Sequence, residues 1–229
     1  PMTTTDLRDE QTIAGFGEEW RRFDQSALPA DEQRRLFDAY FALFPWDNLP
    51  PQAEGADIGC GSGRWAQLAA PRVGTLHCVD PSDAIDVAKD RLSGIPNVRF
   101  HRAGVEALPI APGSLDFAWS LGVLHHIPDT AAALRACAVC LRPGAPLLVY
   151  LYYALDNRPV WFRALWRTSE AIRAVVSRLP MPLRHGAAEV LATLVYWPLS
   201  RAARLGERWG LDVTNWPLAE GYDIFMMWS

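Results

Sequence analysis

The run Asp57-Ile58-Gly59-Cys60-Gly61-Ser62-Gly63-Arg64-Trp65 constrains this chain more than any other segment. A short strand-like stretch, Ala56-Asp57-Ile58, leads straight into glycines at alternate positions, and a helical pattern follows. Glycine accepts positive φ without steric cost and lets a second group approach the main chain closely. A strand that runs through such a turn into a helix is the opening unit of an α/β domain, with a ligand expected over the turn.

The rest of the central region repeats the alternation. Thr75–Val79, Asn97–Phe100, Leu115–Trp119 and Pro146–Tyr152 read as further strands. Helical patterns lie near 64–70, 82–92 and 130–141. Strands separated by helices predict a Rossmann-like, mostly parallel sheet with helices on both faces, over residues 51–155. Ligands of such sheets sit beyond the strand C-termini. Residues 1–50 form a predicted helical cap, with helices at Asp9–Phe23 and Asp31–Phe44, the second capped near Asp31 and ended by Pro45. Its apolar face carries Phe16, Trp20, Phe23, Phe37, Tyr40, Phe41 and Phe44, which suits packing on the main domain and cover for a pocket. Residues 156–209 are a helical insertion after strand five, broken at Pro180, Pro182 and Pro198, and suit a lid or a homodimer surface. Residues 210–229 offer Leu211–Trp216 and Tyr222–Trp228 as final antiparallel strands, a short ending for such a sheet and an expected truncation.

Composition narrows the function. Half of the 229 residues are hydrophobic, enough for a sizeable core, and the length fits one domain with additions. The net charge of −4 argues against a nucleic-acid partner. The apolar run Val190–Leu199 is too short to span a bilayer. Cys137 and Cys140 have CxxC spacing but no second cysteine or histidine pair, so they read as helix filler and no metal is expected. With no leader pattern at the start, the cytoplasm is the expected compartment.

The glycine pattern is GxGxG, whereas a dinucleotide pyrophosphate prefers GxGxxG. This counts against a nicotinamide-dependent oxidoreductase. Asp80, at the end of strand two in His77-Cys78-Val79-Asp80-Pro81-Ser82, suits the vicinal hydroxyls of an adenosine. Asp57 offers negative charge beside the loop.

Taken with Glu106-Ala-Leu-Pro109, Gly113-Ser-Leu-Asp116-Phe, Leu124-His-His-Ile-Pro128-Asp129 and Leu141-Arg-Pro143-Gly144, these residues resemble the small-molecule type of the class I S-adenosylmethionine-dependent methyltransferases. The resemblance runs from about Asp57 to Tyr150. It implies S-adenosylmethionine as cofactor and S-adenosylhomocysteine as product. It implies that Gly59, Cys60, Gly61 and Gly63 line the methionine part and Asp80 holds the ribose. Gly104 stands where that family commonly has an acid facing adenine, so adenine is expected on the backbone of Gly104–Val105. Leu121, Gly122 and Val123, after strand four, are expected near the methyl group. Asp57, Trp65, Pro81, Glu106, His126 and, from the N-terminal cap, Trp20 complete the expected cofactor shell.

The implied activity is methyl transfer to a small acceptor, with the aromatic flanks favouring an apolar or aromatic one. His125 and His126 follow strand four, and His126 is the candidate base. Tyr152 and Tyr153 are candidate pocket residues. The rival reading is a noncatalytic protein that keeps the fold for assembly or regulation.

Overall fold

The computed structural model describes residues 29–151, 159–176, 178–213 and 216. Trp20, the first predicted helix, Tyr152, Tyr153 and the predicted strand Tyr222–Trp228 lie outside the described residues. The chain divides into two compact units, Pro1–Tyr152 and Tyr153–Ser229.

The first unit is built on five strands: β1 (Glu54–Ile58), β2 (Thr75–Val79), β3 (Val98–His101), β4 (Phe117–Leu121) and β5 (Leu147–Tyr150). Their order is β3-β2-β1-β4-β5, and every pairing is parallel. The helices are α1 (Ala30–Tyr40), α2 (Arg64–Ala69), α3 (Ala84–Arg91) and α4 (Thr130–Cys140).

Two cores sandwich the sheet. On one face Phe37, Phe41 and Phe44 meet Trp65 of α2, Ile85 and Ala88 of α3, and Phe117 and Trp119 of β4. Phe41 stands edge-on to Trp119, with ring centroids 5.1 Å apart, and Phe117 stacks on Trp119 at 5.4 Å. Offset and edge-on aromatic pairs are favoured by the ring quadrupole beyond their area burial. The other core joins Ala56, Ile58 and Ala118 of the sheet to Ala133, Cys137 and Cys140 of α4. All four cysteines are free and buried, and the CxxC pair packs in this second core.

The N-terminal helix departs from its predicted bounds. It begins after Pro29 with no side-chain cap, and Asp31 lies inside its first turn, where a carboxylate complements the helix dipole. It ends at Tyr40 rather than at Pro45. A tight turn follows, with the Phe44 amide donating to the Phe41 carbonyl, and it buries both rings on the sheet.

The second unit contains α5 (Val160–Val176), α6 (Met181–Leu191) and α7 (Trp197–Arg208). A π-helical turn, Ala192–Tyr196, joins the last two. It falls just before Pro198, which lacks an amide hydrogen and whose ring crowds the preceding turn, so the ladder widens there. The predicted strand at Leu211 is absent from its described residues. Gly210, with φ of 74°, instead caps α7, and the Leu211 amide donates back to the Gly206 carbonyl at 3.0 Å. This left-handed glycine cap turns the chain away from extended pairing.

Candidate cofactor and acceptor site

The strand order reverses between β1 and β4, the point of such a sheet at which ligands bind beyond the strand C-termini. Gly59–Gly63 comes from the β1 side and Leu121–Val123 from the β4 side. Gly59 has φ of 79°, and a side-chain carbon there would lie 2.4 Å from a methyl of Val123. Only glycine lets Val123 pack on the loop. A carbon added at Gly122 would meet nothing within 4 Å. The two loops therefore touch at Val123 and leave Gly122 open.

The loop's own amides are largely spoken for. Gly59 and Cys60 donate to the Val79 carbonyl at 2.7 and 3.1 Å, tying the loop to the end of β2. Gly61 donates to Oδ2 of Asp80 at 2.9 Å. The other oxygen of Asp80 accepts from both the amide and the hydroxyl of Ser82, at 2.9 and 2.6 Å. An ionised carboxylate offers about four acceptor positions, so capacity for a hydroxyl remains. Asp80 thus orients the glycine loop and presents an acceptor at the same time. Pro81 follows it in the turn that leads to α3.

Asp57 lies beneath the loop at 1% exposure. Its Oδ2 has no hydrogen-bond partner among the described residues. Burial pushes its pKa up to about 7; the nearby charge of Asp80 adds to the rise, while the Trp119 indole and Arg64 oppose it. A buried acceptor without a donor is costly by itself. A cation over the loop would favour its ionised form.

At the end of β3, Gly104 is extended and leads into a short turn, Val105–Ala107. A side-chain carbon at Gly104 would lie 2.1 Å from Oε1 of Glu106 and 2.4 Å from its Oε2. The Glu106 carboxylate is folded back over the place where a side chain at position 104 would begin. Neighbouring β3 is tied to Asp80, whose amide donates to the His101 carbonyl at 3.1 Å.

His125 and His126 lie in a single turn, Leu124–His126, after β4, with ring centroids 4.1 Å apart. Burial lowers the pKa of both, and the neighbouring His125 lowers His126 further. Each is therefore neutral at pH 7, the form that accepts a proton.

Trp65 is buried in the aromatic core, 5.1 Å from the Tyr40 ring, with the Arg64 guanidinium 4.3 Å above it. Tyr40 in turn meets Tyr150 edge-on at 5.4 Å, at the exposed end of β5. Three residues escape the sequence reading. Ser82 completes the Asp80 turn, and the Asp-Pro-Ser spelling could have signalled it. Arg91 of α3 donates to the Ser62 hydroxyl at 3.1 Å, and Ser120 of β4 donates to the Ile58 carbonyl at 2.8 Å. Neither of these two carries a local pattern.

The donor set fits S-adenosylmethionine. Its sulfonium and ammonium are cations, and a buried carboxylate with one oxygen lacking a partner among the described residues lies under the loop. Its ribose diol needs an acceptor, and Asp80 has one position left to supply it. The GxGxG turn has its first two amides already bonded to β2, which suits a ligand without a pyrophosphate.

This parallel sheet, with a glycine turn after β1 and an acid after β2, defines a nucleoside-binding α/β domain. Residues 56–149 match the family model described as a methyltransferase domain. A ubiquinone biosynthesis O-methyltransferase from Albidiferax ferrireducens is 31% identical over 168 residues, 69% of this chain and 63% of that protein. One of the same name from Coxiella burnetii is 27% identical over 73% of this chain and 70% of its own length. Another from Paracidovorax citrulli is 30% identical and is spanned over only 43% of its length. Among solved structures, an S-adenosylmethionine-dependent methyltransferase from Aquifex aeolicus matches 53% of this chain and 72% of its own, at 18% identity and a TM-score of 0.43. The match places a methyltransferase domain over residues 56–149, and S-adenosylmethionine is the cofactor that this domain and its donor set fit.

Proposed function

We propose that the chain transfers a methyl group from S-adenosylmethionine to a small apolar or aromatic acceptor by in-line displacement. The observation that carries this reading is the meeting of the glycine loop and the β4 loop at Val123, with Gly122 left open beside them. When bound, the cofactor supplies a methyl group on a sulfonium, with a neutral thioether as leaving group. The protein's part is then to hold and align the reactants, which can account for much of the rate.

In this reading Gly59, Cys60, Gly61 and Gly63 hold the methionine part over Asp57, and Asp80 holds the ribose. Glu106, reaching over Gly104, supplies the acceptor oxygen for an adenine amino group in place of backbone atoms alone. Leu121 and Gly122 bound the methyl group. Tyr40 and Tyr150 give the acceptor an aromatic wall at the end of β5. The names of the curated relatives favour oxygen as the acceptor atom. A hydroxyl must lose its proton, and exposed His126, whose pKa is lowered by burial and by His125, is the residue we assign to take it.

The test is transfer of labelled methyl from S-adenosylmethionine to a panel of phenols, catechols and aliphatic alcohols. The reading predicts turnover on a phenolic member, with kcat reduced roughly 10²-fold or more in His126→Ala. Full activity of that variant would remove His126 as the base. Cofactor binding with no turnover on any acceptor class would favour the noncatalytic reading.

A further inference from the structure

The second unit presents a surface that methyl transfer does not explain. Helix α5 has two unlike sides. Val160, Trp161, Ala164, Ala171, Ile172 and Val175 fall on one side at helical spacing. All are exposed: Val160 is 72% exposed, Trp161 52% and Val175 62%. Arg163, Glu170 and Arg173 lie on the opposite side, with Arg167 at its edge, and the Arg173 guanidinium sits 5.0 Å from the centre of the Trp166 ring. Helix α7 repeats the mixture. Trp197, Arg201 and Leu205 form one exposed stripe at four-residue spacing, continued by exposed Trp209 just past the helix end, and Arg201 lies 5.5 Å from the Trp197 ring centre. From Val160 to Arg208 the chain has eight arginines against three glutamates and no lysine or aspartate. That is a net charge of +5 within a chain whose total is −4. The positive charge is thus concentrated on the segment that exposes its tryptophans.

No helix among the described residues is long and apolar enough to cross a membrane. An amphipathic helix with tryptophan and aliphatic residues on one side and arginine on the other lies in the plane of a bilayer surface. Its apolar side enters the headgroup boundary, tryptophan rings favour that depth, and arginine meets lipid phosphate. We infer that α5 and α7 form a docking surface for a bilayer that contains anionic lipid. The charge excess selects this occupant: a second copy would bring the same +5 against itself, whereas an anionic surface complements it. The inference rests on the second unit alone and stands whatever the acceptor proves to be.

The test uses the full chain and sedimentation with vesicles. One set is phosphatidylcholine with about one fifth phosphatidylglycerol, the other phosphatidylcholine alone. Binding should favour the anionic vesicles by roughly tenfold and weaken as salt is raised. Trp161→Glu and Val175→Glu, both on the exposed side, should each lower anionic-vesicle binding by roughly tenfold while leaving the far-ultraviolet circular dichroism unchanged. No binding to either vesicle set would overturn the inference. So would wild-type binding that neither variant weakens. A stable dimer in light scattering that ignores vesicles would assign the surface to a second copy and would overturn it as well. Binding of S-adenosylhomocysteine, measured on the same samples, separates a failure here from a failure of the methyltransferase reading.

Discussion

At the scale of single residues, Asp80 and Asp57 divide the work of one site. Asp80 bonds the Gly61 amide and Ser82 while keeping acceptor capacity. Asp80→Asn halves the acceptor set and removes the charge, and a charge-assisted hydrogen bond is worth about 1.5–3 kcal/mol. S-adenosylhomocysteine affinity should fall roughly 10- to 100-fold by calorimetry. A melting temperature close to wild type would show that the loop still forms. Asp57 is the pH-sensitive member. Its pKa stands at about 7 because burial disfavours the charge. A cationic ligand above it binds the ionised form better, so affinity for S-adenosylmethionine should rise from about pH 6 to about pH 8, with protons released on binding. Titrations in two buffers of different ionisation enthalpy measure that release. Equal heats in both at about pH 6.5, after correction, would detach Asp57 from the ligand. The pair Gly104 and Glu106 shows what single residues hide in a sequence. Position 104 reads as a lost acid, but the folded chain returns a carboxylate to that place from two residues further on. Spacing along the chain cannot reveal a side chain that doubles back.

At the scale of elements, the aromatic face of the sheet is the main stabilising feature. Phe117 is fully buried between Trp119 and Phe44, and its ring lies over the backbone of Gly55. Phe117→Ala should cost about 3–5 kcal/mol, read as a shift in the urea midpoint. A loss below about 1 kcal/mol would mean that the cluster repacks around the hole. All five strands were legible within two residues of their ends, because strands of a parallel sheet spell short, largely apolar runs between turn residues. The failures lie where a tertiary contact decides. The N-terminal helix stops at Tyr40 because Phe41 and Phe44 both turn onto the sheet, and periodicity continues past that point. Leu211–Val213 alternates well enough for a strand, but the glycine cap of α7 directs the chain back onto Gly206. A side-chain carbon at Gly206 would lie 3.1 Å from a methyl of Val213, so the missing side chain makes room for that return.

At the scale of the whole molecule, charge and titration are unevenly spread. His77 bridges β1 and β3: its Nε2 meets Glu54 at 2.9 Å and its Nδ1 meets Nε2 of His101 at 2.8 Å. Burial, and then the proximity of His77, lower the pKa of His101. The unfolded chain therefore takes up that proton first as pH falls. The stability His101 contributes is complete above about 6.5 and is lost as pH drops from there through its folded pKa. The melting temperature of His101→Gln should fall less between about pH 7.5 and about pH 5.5 than that of the wild type. An identical slope would exclude His101 as a source of acid sensitivity.

The cofactor domain was legible because its signals are local: glycines in one turn and an acid at a strand end. The acceptor was not, because the residues that would choose it come from separate elements and the chain spans only 63% of the Albidiferax relative. Calorimetric titration of the purified chain with S-adenosylhomocysteine, with NAD as control, bears most directly on the cofactor site. We expect one site with micromolar or tighter affinity for the first, no heat with the second, and a clear loss of binding in Asp80→Asn. Binding of NAD, or no binding of S-adenosylhomocysteine to a chain shown to be folded, would contradict the assignment.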